Sequence, residues 1–225
     1  MTIKLIDPIT DPRWDKFVEN HPFGWICHLS GWKQVLEKSF KHMKGYYFAL
    51  IDENDGIKAG LPIFEVKSWL TGNRLVSIPF ATLCDPLISK SEEMAILLEA
   101  VLEYSEELKY SYVEIRTLAA TSLMQDIRLV NENVYKYHYL SLENELEEIK
   151  NSFPSKTRYN IRRSMKGGLT VKQAENEKDL LSFYDLYCKT RKRLSLPSQP
   201  YRYFKNLYRY ISSVGKGDSS FGGEE

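Results

Sequence analysis

The chain has 225 residues and a mass of 26.3 kDa, enough for one large domain or two small ones, each with its own core. Hydrophobic residues at 43% and a mean hydropathy of −0.41 exclude a chain disordered throughout. No apolar run approaches the ~20 residues that span a bilayer, and Met1 to Pro8 shows no signal-peptide pattern. The net charge of +1 conceals a division: residues 1–150 hold 16 basic against 23 acidic side chains, and residues 151–210 hold 14 against 4. A basic stretch of that kind suits an anionic partner such as phosphate, nucleic acid or acidic lipid; a solvated helical face is the plain alternative. Three scattered cysteines, Cys27, Cys84 and Cys188, exclude a disulfide framework and a CxxC zinc site. The expected compartment is the reducing cytoplasm.

The elements follow from periodicity and punctuation. Ile3 to Ile6 reads as a short strand. Asp11-Pro12 is an N-cap followed by a first-turn proline, with Trp14, Phe17 and Val18 at helical spacing. Ser30 is a cap for a second helix carrying Trp32, Val35, Leu36 and Phe40 on one face. Tyr46 to Ile51 is a strand, Asp52 to Gly56 a turn, and Ile57 to Leu70 a long strand interrupted near Pro62. Thr71-Gly72-Asn73 turns into a further strand at Arg74 to Ile78. Residues 92–109 form an amphipathic helix; Tyr112 to Arg116 and Tyr135 to Leu142 alternate as strands. Hairpins mixed with helices predict an α+β layout. No GxGxxG or P-loop follows any strand, which argues against dinucleotide and nucleoside-triphosphate sites of those kinds.

Beyond Leu142 the character changes. A helix begins over Glu143 to Lys150, Phe153-Pro154-Ser155 interrupts it, and a very basic helix runs to Lys166, stopped by Gly167-Gly168. Leu169 to Val171 reads as a strand, 177–193 as a helix and about 200–212 as an aromatic helix, before a glycine-rich tail with the composition of disorder. The expected domains are therefore 1–142, 143–213 and a tail at 214–225.

The densest chemical signal is Lys156-Thr157-Arg158-Tyr159-Asn160-Ile161-Arg162-Arg163-Ser164-Met165-Lys166. Arg158, Arg162 and Lys166 are spaced by four and share a helical face, with Lys156 and Arg163 flanking it. Guanidinium groups fork onto phosphate oxygens, so the stripe suits a diphosphate or a nucleic-acid backbone. Tyr159 and Ile161 are placed to anchor the opposite face in a core. A second cluster, Lys189 to Arg193, ends a helix, where the dipole favours cations in any case. His21, His28, His42 and His138 form no ligand spacing and no nucleophile arrangement, so no metal is expected. Asp85 and Glu114 lie near strand ends where a base could sit, and nothing singles them out. No catalytic residue is assigned.

Four ordered segments carry a resemblance. Phe23 to Trp32 resembles the opening helix with its Trp in FemAB-like proteins. Ala59-Gly60-Leu61-Pro62-Ile63-Phe64 is similar to their G-x-L-P-L strand, and Leu75-Val76-Ser77-Ile78-Pro79-Phe80 to their L-x-S-x-P-F segment. Lys156 to Arg163, followed by Gly168-Leu169-Thr170-Val171, resembles K-x-R-x-x-I-R-K-A…G-L-x-V. The FemAB-like branch of the GNAT acyltransferase superfamily includes the peptidoglycan-bridge aminoacyltransferases.

The resemblance implies a GNAT-like mixed sheet flanked by helices, followed by the start of a second, incomplete GNAT-like domain. It implies acyl or aminoacyl transfer onto an amine of a cell-wall or surface-polysaccharide precursor, with reduced or absent activity if the second domain is incomplete. The implied co-substrate is aminoacyl-tRNA or acyl-CoA, and no cofactor is implied as bound. Phosphate contact is the role implied for Lys156 and Arg158, and Arg162 and Arg163 join them on the charge argument. Trp32 is a further candidate for substrate contact, with Lys38 matching, at an offset, the lysine the family carries after the helix Trp. A half-built second domain would expose apolar surface and call for self-association or a covering partner. The alternative is a non-enzymatic anion- or RNA-binding module built on residues 156–210.

Overall fold

The protein is described by a computed structural model, covering residues 1–69, 72–81, 84–132, 136 and 138–212. The expected tail at 214–225 lies outside the described residues.

The chain divides into two compact units, one of residues 1–129 with 180–225 and the other of residues 130–179. The division departs from the boundary expected at Leu142. Its physical reason lies in the aromatic helix α7 (Tyr201–Leu207), which packs on α2 (Ser30–Ser39) of the first unit. Asn206 Nδ2 donates to Ser39 Oγ at 2.9 Å, and the rings of Tyr203 and Phe40 lie 5.6 Å apart.

In the first unit, β1 (Thr2–Ile6), β2 (Met43–Ile51), β3 (Ile57–Val66), β4 (Arg74–Ser77) and β5 (Val113–Glu114) form one sheet in sequence order. The first four strands pair antiparallel, and β5 runs parallel to β4. Side chains alternate between faces, as a period of two requires. Tyr47 and Phe64 face α1 (Pro12–Asn20) and α2, whose Trp14, Val18, Trp32, Val35 and Leu36 complete that half of the core. Phe48, Leu50, Leu61, Ile63 and Leu75 face α3 (Ser91–Glu107), which presents Met94, Leu97, Leu98 and Val101 at i, i+3, i+4 and i+7. Each of these buried side chains contributes about 1.5–3 kcal/mol before chain entropy is counted. The result is a mixed five-stranded sheet between two helical layers.

The N-terminal cap of α1 is as expected: Asp11 accepts from the Arg13 N–H, and Pro12 opens the helix. Ser30 does not cap α2 with its side chain. Its hydroxyl donates to Asp15 at 2.5 Å and its N–H to the same carboxylate at 2.7 Å, tying the start of α2 to α1.

The interruption expected at Pro62 is absent, and β3 instead ends at Val66. Gly60 exchanges both backbone bonds with Leu87, at 2.8 and 2.9 Å, so its polar groups point away from β2. Two residues on, the missing N–H of Pro62 points the same way, and no β2–β3 bond is lost. Gly60 also admits the Trp14 ring, since a Cβ there would stand 2.6 Å from Trp14 Cη2. A Gly60→Ala substitution is expected to cost about 1–3 kcal/mol by overpacking, read as a lower midpoint in urea.

The second unit holds α4 (Leu146–Ser152) and α5 (Ser155–Lys166), the start of α6 (Glu177–Arg193) and irregular chain. Residues 138–142 and 169–171 form no strand; Tyr135 and Tyr137 lie outside the described residues. Val171 is fully exposed, Leu142 is 77% exposed and Tyr159 is 58% exposed. Tyr159 therefore does not anchor a core, and no side chain of α4 or α5 is buried. The alternation that predicts strands here meets no neighbouring strand among the described residues of this unit, and an unpaired strand is not stable alone.

Candidate functional site

Two features bring candidate residues together, one in each unit. In the second unit the basic sequence forms the helix expected of it. Pro154 precedes α5, its carbonyl accepting from the Arg158 N–H at 3.1 Å. Gly168, at φ 76°, ends it in a conformation that suits glycine. Lys156, Arg162, Arg163 and Lys166 are exposed. Among the described residues no carboxylate pairs with any of them, or with Arg158.

Arg158 is half-buried and already employed. Its Nη1 donates to the carbonyls of Asn151 at 2.7 Å and Phe153 at 2.9 Å, closing the C-terminal end of α4. Nε and Nη2 remain for a ligand. Tyr159 stands three and four residues before Arg162 and Arg163, so its exposed ring shares their face.

In the first unit, Trp32 is 8% exposed, and its indole Nε1 donates to the Pro79 carbonyl at 3.5 Å. It braces the chain that leaves β4. The next residue, Phe80, has φ 60°, the left-handed region, which costs a non-glycine residue roughly 1–2 kcal/mol. The Phe80 ring packs at 5.1 Å from Phe40 and 5.4 Å from Tyr203, both buried, while Phe80 itself stays 41% exposed. Lys38 Nζ lies 5.2 Å from the Tyr210 ring centroid, and the Arg209 guanidinium lies 5.6 Å from the same ring. Lys33, nearer Trp32 in sequence, is buried and held by Glu37 at 3.1 Å and Asp7 at 3.4 Å.

The candidate bases have structural occupations. Asp85 is buried, and its Oδ1 accepts from Thr117 Oγ1 at 2.7 Å, Leu118 N at 2.7 Å and Ala120 N at 2.9 Å. Glu114 accepts from Arg116 Nε at 2.7 Å.

His28 is fully buried in a 3-10 turn, Ile26–His28. Its Nδ1 accepts from Trp25 N–H at 3.1 Å, so Nε2 carries the proton and donates to the Asp85 carbonyl at 3.0 Å. Burial pushes the imidazole down from 6.5 to about 4. The folded state therefore holds His28 neutral. Its stability is whole above pH 6.5 and falls as pH drops towards 4, by about 3 kcal/mol in total. Urea midpoints at pH 7 and pH 4.5 should show that fall, and His28→Gln should remove most of it.

Burial pushes the thiols of Cys27 and Cys84 up to about 12 and about 11, so neither is a thiolate near neutral pH. Lys189 pairs with Asp185 at 2.5 Å, and Arg191 donates to the Pro197 carbonyl at 2.9 Å. The second basic cluster is thus partly spent on its own helix end. Among the described residues no group of three or more His, Cys, Asp or Glu could hold a metal. No helix among them is long and apolar enough to cross a membrane.

Sequence reasoning named Lys156, Arg158, Arg162, Arg163, Trp32 and Lys38. It does not register the left-handed backbone at Phe80, although the motif containing it is in view, because a backbone angle leaves no trace in composition.

A mixed sheet between helical layers in the first unit, and an unneutralised basic helix in the second, are the setting for the comparisons with known proteins. Residues 126–213, which include all of α5, match the model of the FemAB family. The fold matches the crystal structure of FemX with a TM-score of 0.67 at 19% identity, over 96% of this chain and 56% of that one. The FemAB likeness in sequence is thus confined to residues 126–213, and the chain spans little more than half the length of FemX. Weaker matches are a variant of the BH1408 protein from Bacillus halodurans and a ribosomal-protein-alanine N-acetyltransferase from Brucella melitensis biovar Abortus 2308. The first has a TM-score of 0.42 at 11% identity, over 63% of this chain and 100% of that one. The second has a TM-score of 0.38 at 6% identity, over 63% and 99%. At those scores neither bears on the fold. No curated protein matches the chain in sequence.

Proposed function

We propose that the chain is an aminoacyl- or acyltransferase of the FemAB kind, acting on an amine of a phosphate-bearing cell-wall or surface-polysaccharide precursor. The observation that carries this is α5: five cations without a carboxylate partner on a twelve-residue helix, inside the segment that matches the FemAB family. Unneutralised guanidinium groups on one face bind phosphate oxygens bidentately, and no competing ion pair has to break first.

Lys156, Arg162 and Arg163 act as the phosphate contacts, with Arg158 contributing through Nε and Nη2. Lys38 is a further anion contact in the first unit, and Trp32 acts through Pro79. Aminolysis of an activated ester or thioester needs positioning, an oxyanion donor and a base for the amine. It needs no covalent nucleophile, consistent with two buried, protonated thiols. Aminoacyl-tRNA and acyl-CoA both fit as donor, since each carries phosphate on the same molecule as its activated acyl group.

Binding should be measured with a UDP-linked muropeptide, acetyl-CoA and tRNA supplied separately, using the wild type and Arg162→Ala. The muropeptide or acetyl-CoA is expected to raise the melting temperature by mass action, and Arg162→Ala to weaken that binding about tenfold. Undiminished binding by the variant refutes the phosphate assignment. One observation favours a second reading: the exposed Tyr159 amid cations is the aromatic-plus-basic face that holds single-stranded RNA. That reading requires tRNA alone to bind, with affinity falling steeply in salt and no acyl-donor dependence.

A further inference from the structure

We propose that the end of the sheet carrying Trp69 is a docking surface for an anionic lipid bilayer. Trp69 lies between β3 and β4 and is 97% exposed, although tryptophan is highly buried on average. A single exposed indole carries no argument by itself; its neighbours do.

Strand pairing fixes which residues share this end. Val66, the last residue of β3, stands opposite Met43 on one side and Arg74 on the other. The Lys67 N–H donates to the His42 carbonyl at 3.0 Å, and the Ser111 N–H to the Asn73 carbonyl at 2.9 Å. Residues 41–44, 67–69, 73–74 and 108–112 therefore converge at one end of the sheet, where α3 also finishes. Two further apolar side chains are exposed there, Leu108 and Tyr112. Lys41, Lys44 and Lys109 are exposed as well. No carboxylate pairs with any of the three among the described residues. Lys44 Nζ stands instead 5.3 Å from the Tyr46 ring centroid. Of the nearby carboxylates, Glu65 is held by Lys67 at 2.9 Å and Glu37 by Lys33 at 3.1 Å. That leaves Glu106 and Glu107 of α3 against the three lysines and Arg74, so this end stays net positive.

The mixture selects the partner. Protein interfaces gather tryptophan but are depleted in lysine. Tryptophan and lysine together are anchors of a bilayer surface. The indole settles at the depth of the headgroups, and each lysine stem lies along apolar surface with its ammonium among the lipid phosphates. This surface belongs to the first unit, is independent of α5 and goes beyond the transferase reading.

The test is sedimentation of the full chain with vesicles of phosphatidylcholine alone, or of phosphatidylcholine with about one-third phosphatidylglycerol. Wild type should bind the mixed vesicles at least about tenfold more tightly than the neutral ones. Trp69→Ala should lose about tenfold in that affinity with its melting temperature unchanged, since the indole it removes is exposed. Lys41→Glu together with Lys109→Glu should lose the preference for phosphatidylglycerol. No binding by wild type, or equal binding by wild type and Trp69→Ala, overturns the proposal. Binding kept by Trp69→Ala but lost in Arg162→Glu with Arg163→Glu overturns it too, because the lipid would then sit on α5. A dimer in light scattering that Trp69→Ala dissociates, with no vesicle binding, would give this end to a second copy of the chain instead. None of these failures touches the phosphate reading of α5, which is measured on soluble ligands.

Discussion

Reversing two charges on α5, with Arg162→Glu and Arg163→Glu together, is expected to abolish binding of phosphate-bearing ligands while leaving the melting temperature almost unchanged. Both side chains are exposed and neither pairs with a carboxylate among the described residues, so the folded state loses no ion pair when they change. The ligand loses two charge-assisted hydrogen bonds, each worth about 1.5–3 kcal/mol, and meets two repulsive charges in their place. A drop in affinity of at least about 100-fold follows for any diphosphate held there. A titration against UDP-linked muropeptide in low salt reads the effect directly. A double variant that binds within a factor of three of wild type would remove α5 from the site and leave its charge as solvated surface. The milder pair Arg162→Lys and Arg163→Lys separates charge from fork: it should recover part of the affinity and none of the bidentate geometry.

Asp85→Ala should be the most damaging single substitution for stability outside the hydrophobic core. One carboxylate oxygen gathers Thr117 Oγ1, Leu118 N and Ala120 N. Removing it strands three donors, of which the Ala120 N–H is buried. With a stranded donor costing about 1–3 kcal/mol, a loss of about 3 kcal/mol is expected, or a fall of about 6–12 °C in melting temperature for a chain of this size. Asp85→Asn keeps the accepting oxygen and should cost much less. If alanine and asparagine proved equally mild, the 117–120 segment would have to be held by its apolar contacts instead. The main-chain carbonyl of Asp85 also receives His28 Nε2, which either substitution leaves in place.

The layered sheet was legible in the sequence wherever periodicity had a partner to act on. The apolar spacing of α3 and the capped start of α1 are local signals, and both elements formed as written. The break expected at Pro62 was misjudged for a definite reason. A proline harms a strand only when its missing N–H faces a neighbour, and that depends on the register set by Gly60 with Leu87. The described residues 138–142 and 169–171, expected as strands, show the converse, in that alternation without a pairing strand is not structure.

The candidate site was legible as charge and not as geometry. Lys156, Arg162 and Arg163 lie exposed as the pattern suggested. The employment of Arg158 on the end of α4, the burial of Trp32 and the left-handed Phe80 arise from tertiary packing that spacing cannot encode. Asp85 was noticed as an acid near a strand end, but its three donors come from residues more than thirty positions away.

The absence of any buried side chain on α4 and α5 has a thermodynamic consequence for recognition. A helix of twelve residues sits near the margin of independent stability, and its amides should exchange with solvent far sooner than those of β2 and β3. Whatever anion settles on α5 must therefore supply the free energy of ordering it as well as that of contact. Affinity then reports helix propensity together with charge, and a weakly structured surface of this kind discriminates by how many phosphates engage at once. A ligand with a single phosphate meets nearly the full ordering cost, whereas a diphosphate spreads it over several guanidinium forks.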